Sequence, residues 1–253
     1  MAEKALITGA TAGIGEATAW ELARKGWGLL LTGRREERLQ ALKKAISAEC
    51  QVQVSVAAFD IRDYGQCQKA LASWSSELSE LRILVNNAGL ARGTDSMDVG
   101  DVDDWEAMID TNFKGLLYIT RLCLPQLKAQ GSSAHIVNVG SISGHRVYPG
   151  GGVYCATKHA VTALSQGLRM DLHGSGVRVT NISPGMVETE FSEVRFRSKD
   201  KAKSAYAGMT PLTGKDIAAS IGWAIEQPAH VNLQEMIIMP TDQASVGMVH
   251  RQS

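Results

Sequence analysis

The stretch "KALITGATAGIG", residues 4–15, decides how the rest of the chain is read. Its first half is a short continuous apolar run, the pattern of a strand covered on both faces. Gly9, Gly13 and Gly15 follow at once and lead into a helical pattern over about 13–25, which stops before Gly26. Glycines at this turn let the backbone fold tightly against the start of a helix, whose free N–H groups and dipole favour an anion. The spacing is not that of the general G-x-G-x-x-G pattern, and a plain strand-to-helix turn would use the same residues. Its place as the first strand-to-helix turn of an alternating chain is what points to a dinucleotide pyrophosphate.

Working outward, further apolar runs lie at 28–33, 52–60, 82–89, 135–141, 177–185 and 235–240. Helical patterns at 37–49, 63–79, 103–127 and 153–173 separate them. Strands joined through helices make right-handed crossovers and a parallel sheet. The expectation is an α/β fold: a single doubly wound Rossmann-type domain, 1–253, with about seven parallel strands and helices on both faces. One segment breaks the rhythm. "MVETEFSEVRFRSKDKAKSAYAGMTPL", residues 186–212, is polar and helix-prone with no evident strand, the composition of a lid over a binding site.

Composition narrows the function classes. The 253 residues carry 26 basic and 26 acidic side chains, so the net charge is zero and no nucleic-acid or membrane-surface footprint exists. Four scattered cysteines, Cys50, Cys67, Cys123 and Cys155, contain no CxxC pair. They read as reduced thiols of a cytoplasmic protein, with neither a disulfide framework nor a metal site. No apolar run reaches the length of a signal peptide core or a membrane span.

The end of the second strand reads "LLLTGRREER", 29–38. An acidic residue there would bond the ribose 2′-hydroxyl of NAD. Arg34 and Arg35 stand in its place, and a guanidinium fork suits a 2′-phosphate, hence NADP(H). The competing reading pairs Arg35 with Glu36 or Glu37 on a solvated helix start.

"GSISGHRVYPGGGVYCATKHAV", 140–161, ends a strand at Ser141 and opens a helix carrying Tyr154 and Lys158. Four residues apart, these two share one helix face. A lysine cation beside a phenol favours the phenolate, which makes a tyrosine usable as a base near neutrality. Ser141, at the C-terminal end of its strand, stands where ligands sit in such folds. His145 and His159 read as structural, and Cys155 faces away from Tyr154.

Together these motifs resemble the short-chain dehydrogenase/reductase family along nearly the whole chain. The matching pieces are "TGATAGIG", "NNAG" (86–89), Asn112 within "DTNFKG", Ser141, "YCATK" (154–158) and "PGMVET" (184–189). "TGRREERLQ", "DWEAMIDTNFKGLLY", "RMDLHGSGVRVT", "EFSEVRF" and "MVHRQ" are similar to the NADP-dependent 3-hydroxy acid dehydrogenases, which oxidise serine, allo-threonine and 3-hydroxypropionate. The resemblance implies Tyr154 as acid/base, Lys158 also on the nicotinamide ribose, and Asn112 in a water relay. It implies cofactor contacts from Gly9, Thr11, Gly13, Ile14, Gly15, Asp60, Ile61, Asn87, Ala88, Gly89, Pro184, Gly185, Val187 and Thr189. Asn86 reads alternatively as a sheet-stabilising residue. A homotetramer built on helices 103–127 and 153–173 is also implied, with Leu116, Ile119, Val161, Leu164 and Leu168 as apolar candidates.

A 3-hydroxy acid needs a cation for its carboxylate while its hydroxyl meets Ser141 and Tyr154. Arg195, in "EFSEVRF", is the candidate; Arg146 and Arg197 are rivals, and pairing of Arg195 with Glu188 or Glu193 is the plain alternative. "MPTDQ" (239–243) and "HRVYPGGG" depart from the hydroxy-acid pattern, which leaves room for a carbonyl reductase of other ketones or aldehydes. A catalytically silent NADP(H)-sensing protein would lack Tyr154 or Lys158, and both are present.

Overall fold

A computed structural model describes residues 3–252. Seven strands form one parallel sheet: β1 (Lys4–Ile7), β2 (Gly28–Gly33), β3 (Val54–Ala58), β4 (Leu81–Asn86), β5 (His135–Val139), β6 (Arg178–Pro184) and, after two short strands, β9 (Glu235–Ile238). Their spatial order is β3-β2-β1-β4-β5-β6-β9. The chain reverses direction across the sheet between β1 and β4, the switch point where such sheets open a crevice at the strands' C-terminal ends.

Alternation along the strands loads both faces. In β1, Ala5 and Ile7 point to one side and Leu6 to the other, all with no exposure. On the first face the sheet meets α1 (Gly13–Arg24), α2 (Glu36–Cys50) and α10 (Gly214–Ile225), through Leu22, Leu39, Ile46, Ile217 and Ile221. On the second it meets α3 (Tyr64–Ala72), α6 (Leu116–Gln130) and α7 (Gly152–Asp171), through Cys67, Leu71, Ile119, Cys123 and Leu168. Burying such side chains contributes about 1.5–3 kcal/mol each.

Three expectations need correction. The helix foreseen over 63–79 is two, α3 and α4 (Ser75–Leu78), because Trp74 leaves the helical path and buries its ring in the second core layer. The helix foreseen over 103–127 is α5 (Val102–Ile109) and α6 joined by a π-helical turn, Asp110–Gly115. And 186–212 does contain strand. β7 (Val187–Glu188) pairs in parallel with β8 (Leu212–Thr213), which zips the two ends of the segment together. Between them lie α8 (Glu190–Phe196) and α9 (Lys199–Ala205). The Tyr206 hydroxyl donates to the Val187 carbonyl (2.8 Å) and accepts from Ser192 Oγ (2.5 Å). A last hairpin, β10 (Gln243–Ser245) with β11 (Met248–Val249), brings the chain end onto the segment, where Arg251 donates to the Ala205 carbonyl at 2.9 Å.

Leu116, Ile119, Val161 and Leu168 are buried in their own chain, and Leu164 packs against the second core layer. The four buried residues are core and are not available as an intersubunit surface, whereas Leu164 keeps a partly exposed face.

Candidate active site

A cavity of about 600 Å³ lies along the switch point, over the C-terminal ends of the strands. Gly9, Thr11, Gly13 and Ile14 form its floor at one end. Gly9 and Gly13 take φ of +68° and +58°, which other residues adopt only with strain. A Cβ at Gly9 would come within 2.9 Å of Ala88 Cα, so a side chain would also break the close approach of this loop to the end of β4. Asn87 fastens the same approach by donating through Nδ2 to the Thr8 carbonyl at 2.9 Å and the Gly9 carbonyl at 3.2 Å.

Past β2, Arg34 and Arg35 line the cavity as foreseen. Arg35 does not pair with Glu36 or Glu37. It donates to Thr11 Oγ1 (2.8 Å) and to Glu190 (2.8 Å) at the start of α8. Asp60 and Ile61 follow β3 and line the wall. The Arg62 guanidinium holds the Asp60 carboxyl below its ordinary range.

Ser141, Tyr154 and Lys158 converge on the middle of the cavity, each nine-tenths or more buried. Ser141 sits just past β5 in extended backbone, and the other two come from the first turns of α7. Lys158 Nζ donates to the Val139 carbonyl at 2.9 Å and lies 6.0 Å from the centre of the Tyr154 ring. Burial pushes the Lys158 ammonium down to about 8. Burial also pushes the Tyr154 phenol above its ordinary value, with Ser141 opposing. At this distance Lys158 does not act on the phenol, so burial keeps Tyr154 a neutral acid; its lowering is an expectation for the site with the nicotinamide cation in place.

Asn112 and Gly15 do not line the cavity. The π-helical turn aims Asn112 at the chain after β4, where Oδ1 accepts from Leu90 N (2.8 Å) and Nδ2 donates to the Leu90 carbonyl (2.8 Å) and Thr157 Oγ1 (3.1 Å). Its amide is fully used in joining that strand end to α7, so it orients its neighbours. Gly15 lies beneath the loop, where a Cβ would strike Asn87 Nδ2 and the Gly9 carbonyl at 2.4 Å. Asn86 serves the sheet, donating to Thr120 Oγ1 and Asn138 Oδ1 at 2.9 Å.

Ala88 and Gly89 line one wall, with Pro184, Gly185, Val187 and Thr189 opposite. Gln243, from "MPTDQ", is buried under that turn and accepts from Met186 N at 2.8 Å. Of the arginines, Arg195 alone reaches the centre. Arg146 is exposed and donates to the His145 carbonyl, and Arg197 is held by Asp104 at 2.6 Å. Arg195 pairs with neither Glu188 nor Glu193; its guanidinium stacks on Tyr148, 5.2 Å from the ring centre. His145 meets Ser183 (3.1 Å) and Glu235 (2.7 Å), a structural role. Tyr148, Ser143 and Glu190 also line the cavity, and sequence reading did not single them out. The only signal for Tyr148 was the glycine run that follows it.

A glycine turn under a switch-point cavity, with serine, tyrosine and lysine at its centre, defines a dinucleotide-binding oxidoreductase. The sequence profile described as short chain dehydrogenase matches residues 3–200. The NADP-dependent 3-hydroxy acid dehydrogenase of Escherichia coli K12 is 45% identical over 250 residues, spanning 98% of this chain and 99% of that protein. The serine 3-dehydrogenase of Agrobacterium fabrum is 46% identical over 250 residues, 98% of each. A solved structure, the closed form of serine dehydrogenase complexed with NADP+, superposes with a TM-score of 0.90 at 45% identity, covering 98% of this chain and 99% of that one. The chain belongs to the short-chain dehydrogenase family. Among the described residues no helix is long and apolar enough to cross a membrane, and no cluster of three or more His, Cys, Asp or Glu is arranged to hold a metal.

Proposed function

We propose that this protein is an NADP(H)-dependent oxidoreductase that moves a hydride between the nicotinamide and a small 3-hydroxy acid, serine-like or 3-hydroxypropionate-like. The observation that carries this reading is the cavity's layout. Two arginines lie at its adenosine end, Ser141 and Tyr154 at its centre, and Arg195 beside them on the lid.

The residues fit the cofactor. Gly9, Thr11, Gly13 and Ile14 leave a cradle for the pyrophosphate at the α1 N-terminus, and Arg34 and Arg35 suit a 2′-phosphate. Asp60 and Ile61 suit the adenine, Asn87, Ala88 and Gly89 its ribose, and Pro184, Gly185, Val187 and Thr189 the carboxamide. When bound, NADP+ accepts the hydride and NADPH donates it. Tyr154 Oη gives the proton to the substrate oxygen in reduction and takes it in oxidation. Ser141 Oγ donates to the same oxygen, and Lys158 holds the nicotinamide ribose. Gly15 and Asn112 act one layer behind, Asn112 by fixing Leu90 and α7; any water relay runs past it, not through its amide.

The names of the relatives support NADP and the hydroxy-acid class. A carbonyl reductase of other ketones or aldehydes is the second reading, favoured by the apolar side chains Phe191, Val194 and Phe196 on the same wall. The functional unit is taken as one domain, 1–253, with the lid at 186–212. A homotetramer fits the family, and exposed Trp223 and Ile237 are the apolar groups that such contacts would cover. Four unpaired cysteines support a cytoplasmic setting. The test is reduction of NADP+ and of NAD+ with 3-hydroxypropionate, serine isomers and simple secondary alcohols. Equal rates with the two cofactors, or no preference for acids, would reject the corresponding part.

A further inference from the structure

We propose that the Tyr148 hydroxyl is a second donor to the substrate carboxylate, working beside Arg195 and so selecting acids over neutral alcohols. The proposal rests on the 3-hydroxy acid reading above and adds a residue to it.

The buried Tyr148 hydroxyl has Arg195 and Ser143 as its polar neighbours but makes a well-formed hydrogen bond to neither, and Arg195 Nε is likewise buried and unpaired. Leaving such a group unpaired is costly, so even an isolated instance calls for a cause. Here two lie side by side. The Arg195 guanidinium stacks over the Tyr148 ring at 5.2 Å, and both residues line the same cavity as Ser141 and Tyr154. The stack fixes the guanidinium plane while leaving its edge free, and a planar edge is what grips a carboxylate.

The chain is shaped to keep Tyr148 there. A Cβ at Gly151 would lie 2.2 Å from Cε2 and 2.4 Å from Cζ of the tyrosine ring, so any side chain at 151 would evict it. Gly150, at φ +71°, has the Thr94 carbonyl 2.1 Å from where a Cβ would stand. The "YPGGG" run is thus a seat for one aromatic ring. Burial keeps the phenol protonated, with Arg195 opposing, so it faces an anion as a neutral O–H donor. Arg195 brings the charge and Tyr148 the direction. A neutral ligand would satisfy neither orphan as well.

The test compares 3-hydroxypropionate with its methyl ester, using NADP+ and both the unmodified enzyme and Tyr148→Phe. This substitution keeps the ring under Arg195 and removes only the hydroxyl. The ratio of kcat/KM for acid over ester is expected to fall on the order of tenfold, through KM more than kcat. NADP+ affinity, read by fluorescence quenching, checks that the cofactor end is intact. If the unmodified enzyme prefers the acid and Tyr148→Phe keeps that preference, the Tyr148 assignment is overturned and the substrate reading stands. Equal losses on acid and ester would also overturn it, since that pattern marks a structural role. An unmodified enzyme with no preference for the acid would overturn both.

Discussion

The Glu190 carboxylate sits on the Arg35 guanidinium at 2.8 Å, and its other oxygen takes Arg38 at 2.7 Å. Glu190 belongs to the lid and the arginines to the far side of the cleft. The 186–212 segment is therefore clasped to Arg35, one of the two arginines proposed for the 2′-phosphate, and Arg35 and Arg38 together hold the Glu190 carboxyl below its ordinary range.

A phosphate and this carboxylate compete for one guanidinium. Glu190→Gln should tighten NADP+ binding by up to about fivefold, the ceiling for a half-exposed ion pair, and leave NAD+ binding nearly unchanged. Calorimetric titration of both cofactors reads the difference. Weaker NADP+ binding in the variant would mean that Glu190 assists the cofactor instead of competing with it.

Tyr154→Phe should cut turnover by a factor of about 10² or more, as expected of a lost acid–base group, with NADPH still bound. The direction of the phenol's shift sets the pH dependence. A neutral phenol serves ketone reduction as it stands, whereas oxidation needs the phenolate, so oxidation should climb with pH through the alkaline range while reduction stays nearly level. Rates measured in both directions between about pH 6 and 10 check this; profiles that rise together would contradict it.

Burying Lys158 carries a cost in stability. Its ammonium titrates at about 8 in the fold and 10.5 outside it. Below about 8 both states hold the proton, and the burial penalty is fully present. Between 8 and 10.5 the unfolded chain binds more protons, so stability rises with pH across that window. Lys158→Met should be inactive yet more stable than the parent at neutral pH, by about 1–2 kcal/mol after the lost bond to the Val139 carbonyl. Denaturant melts at pH 7 and above 10 should show the advantage shrinking; a constant difference would refute it.

His135 responds with the same sign, but in the acid range. Burial, with Arg178 assisting, lowers it to about 3 from 6.5, and its ring bonds Thr180 Oγ1 at 2.7 Å. The unfolded chain gains a proton first as the pH falls, so stability drops from 6.5 towards 3. His135→Gln should be less stable near neutrality and lose less on acidification. Parallel acid-unfolding curves for the two proteins would rule this out.

The sheet was legible because its central strands are runs such as "GLLLTG" or "HIVNV", apolar enough to be covered twice, and most stops are marked by glycine or a charge. The face shared by Tyr154 and Lys158 follows from helical period alone. Contacts made by the third dimension were not legible. Val187 pairing with Leu212 spans the whole lid. Arg35 reaches Glu190 across 155 positions, although neighbouring glutamates looked like its partners. The sense of the Tyr154 shift depended on a distance, and spacing along a helix does not give the length that a lysine spends on the Val139 carbonyl. Tyr148 was in plain view, but its unpaired hydroxyl exists only once Arg195 is laid on its ring.

The π-helical turn at Asp110–Gly115 sets the rotational phase of everything after it. In an unbroken α-helix each residue advances about 100°, so Asp104 and Leu127 would stand about 140° apart. The wider turn absorbs roughly one residue's advance and brings them to about 40°. Asp104 can then hold Arg92 and Arg197 at the lid while Ile119, Cys123 and Leu127 lie flat on the sheet. The extra residue works like a vernier between two gears. Removing it would leave both helical segments intact and each correct by its own pattern, yet only one of them could mesh at a time.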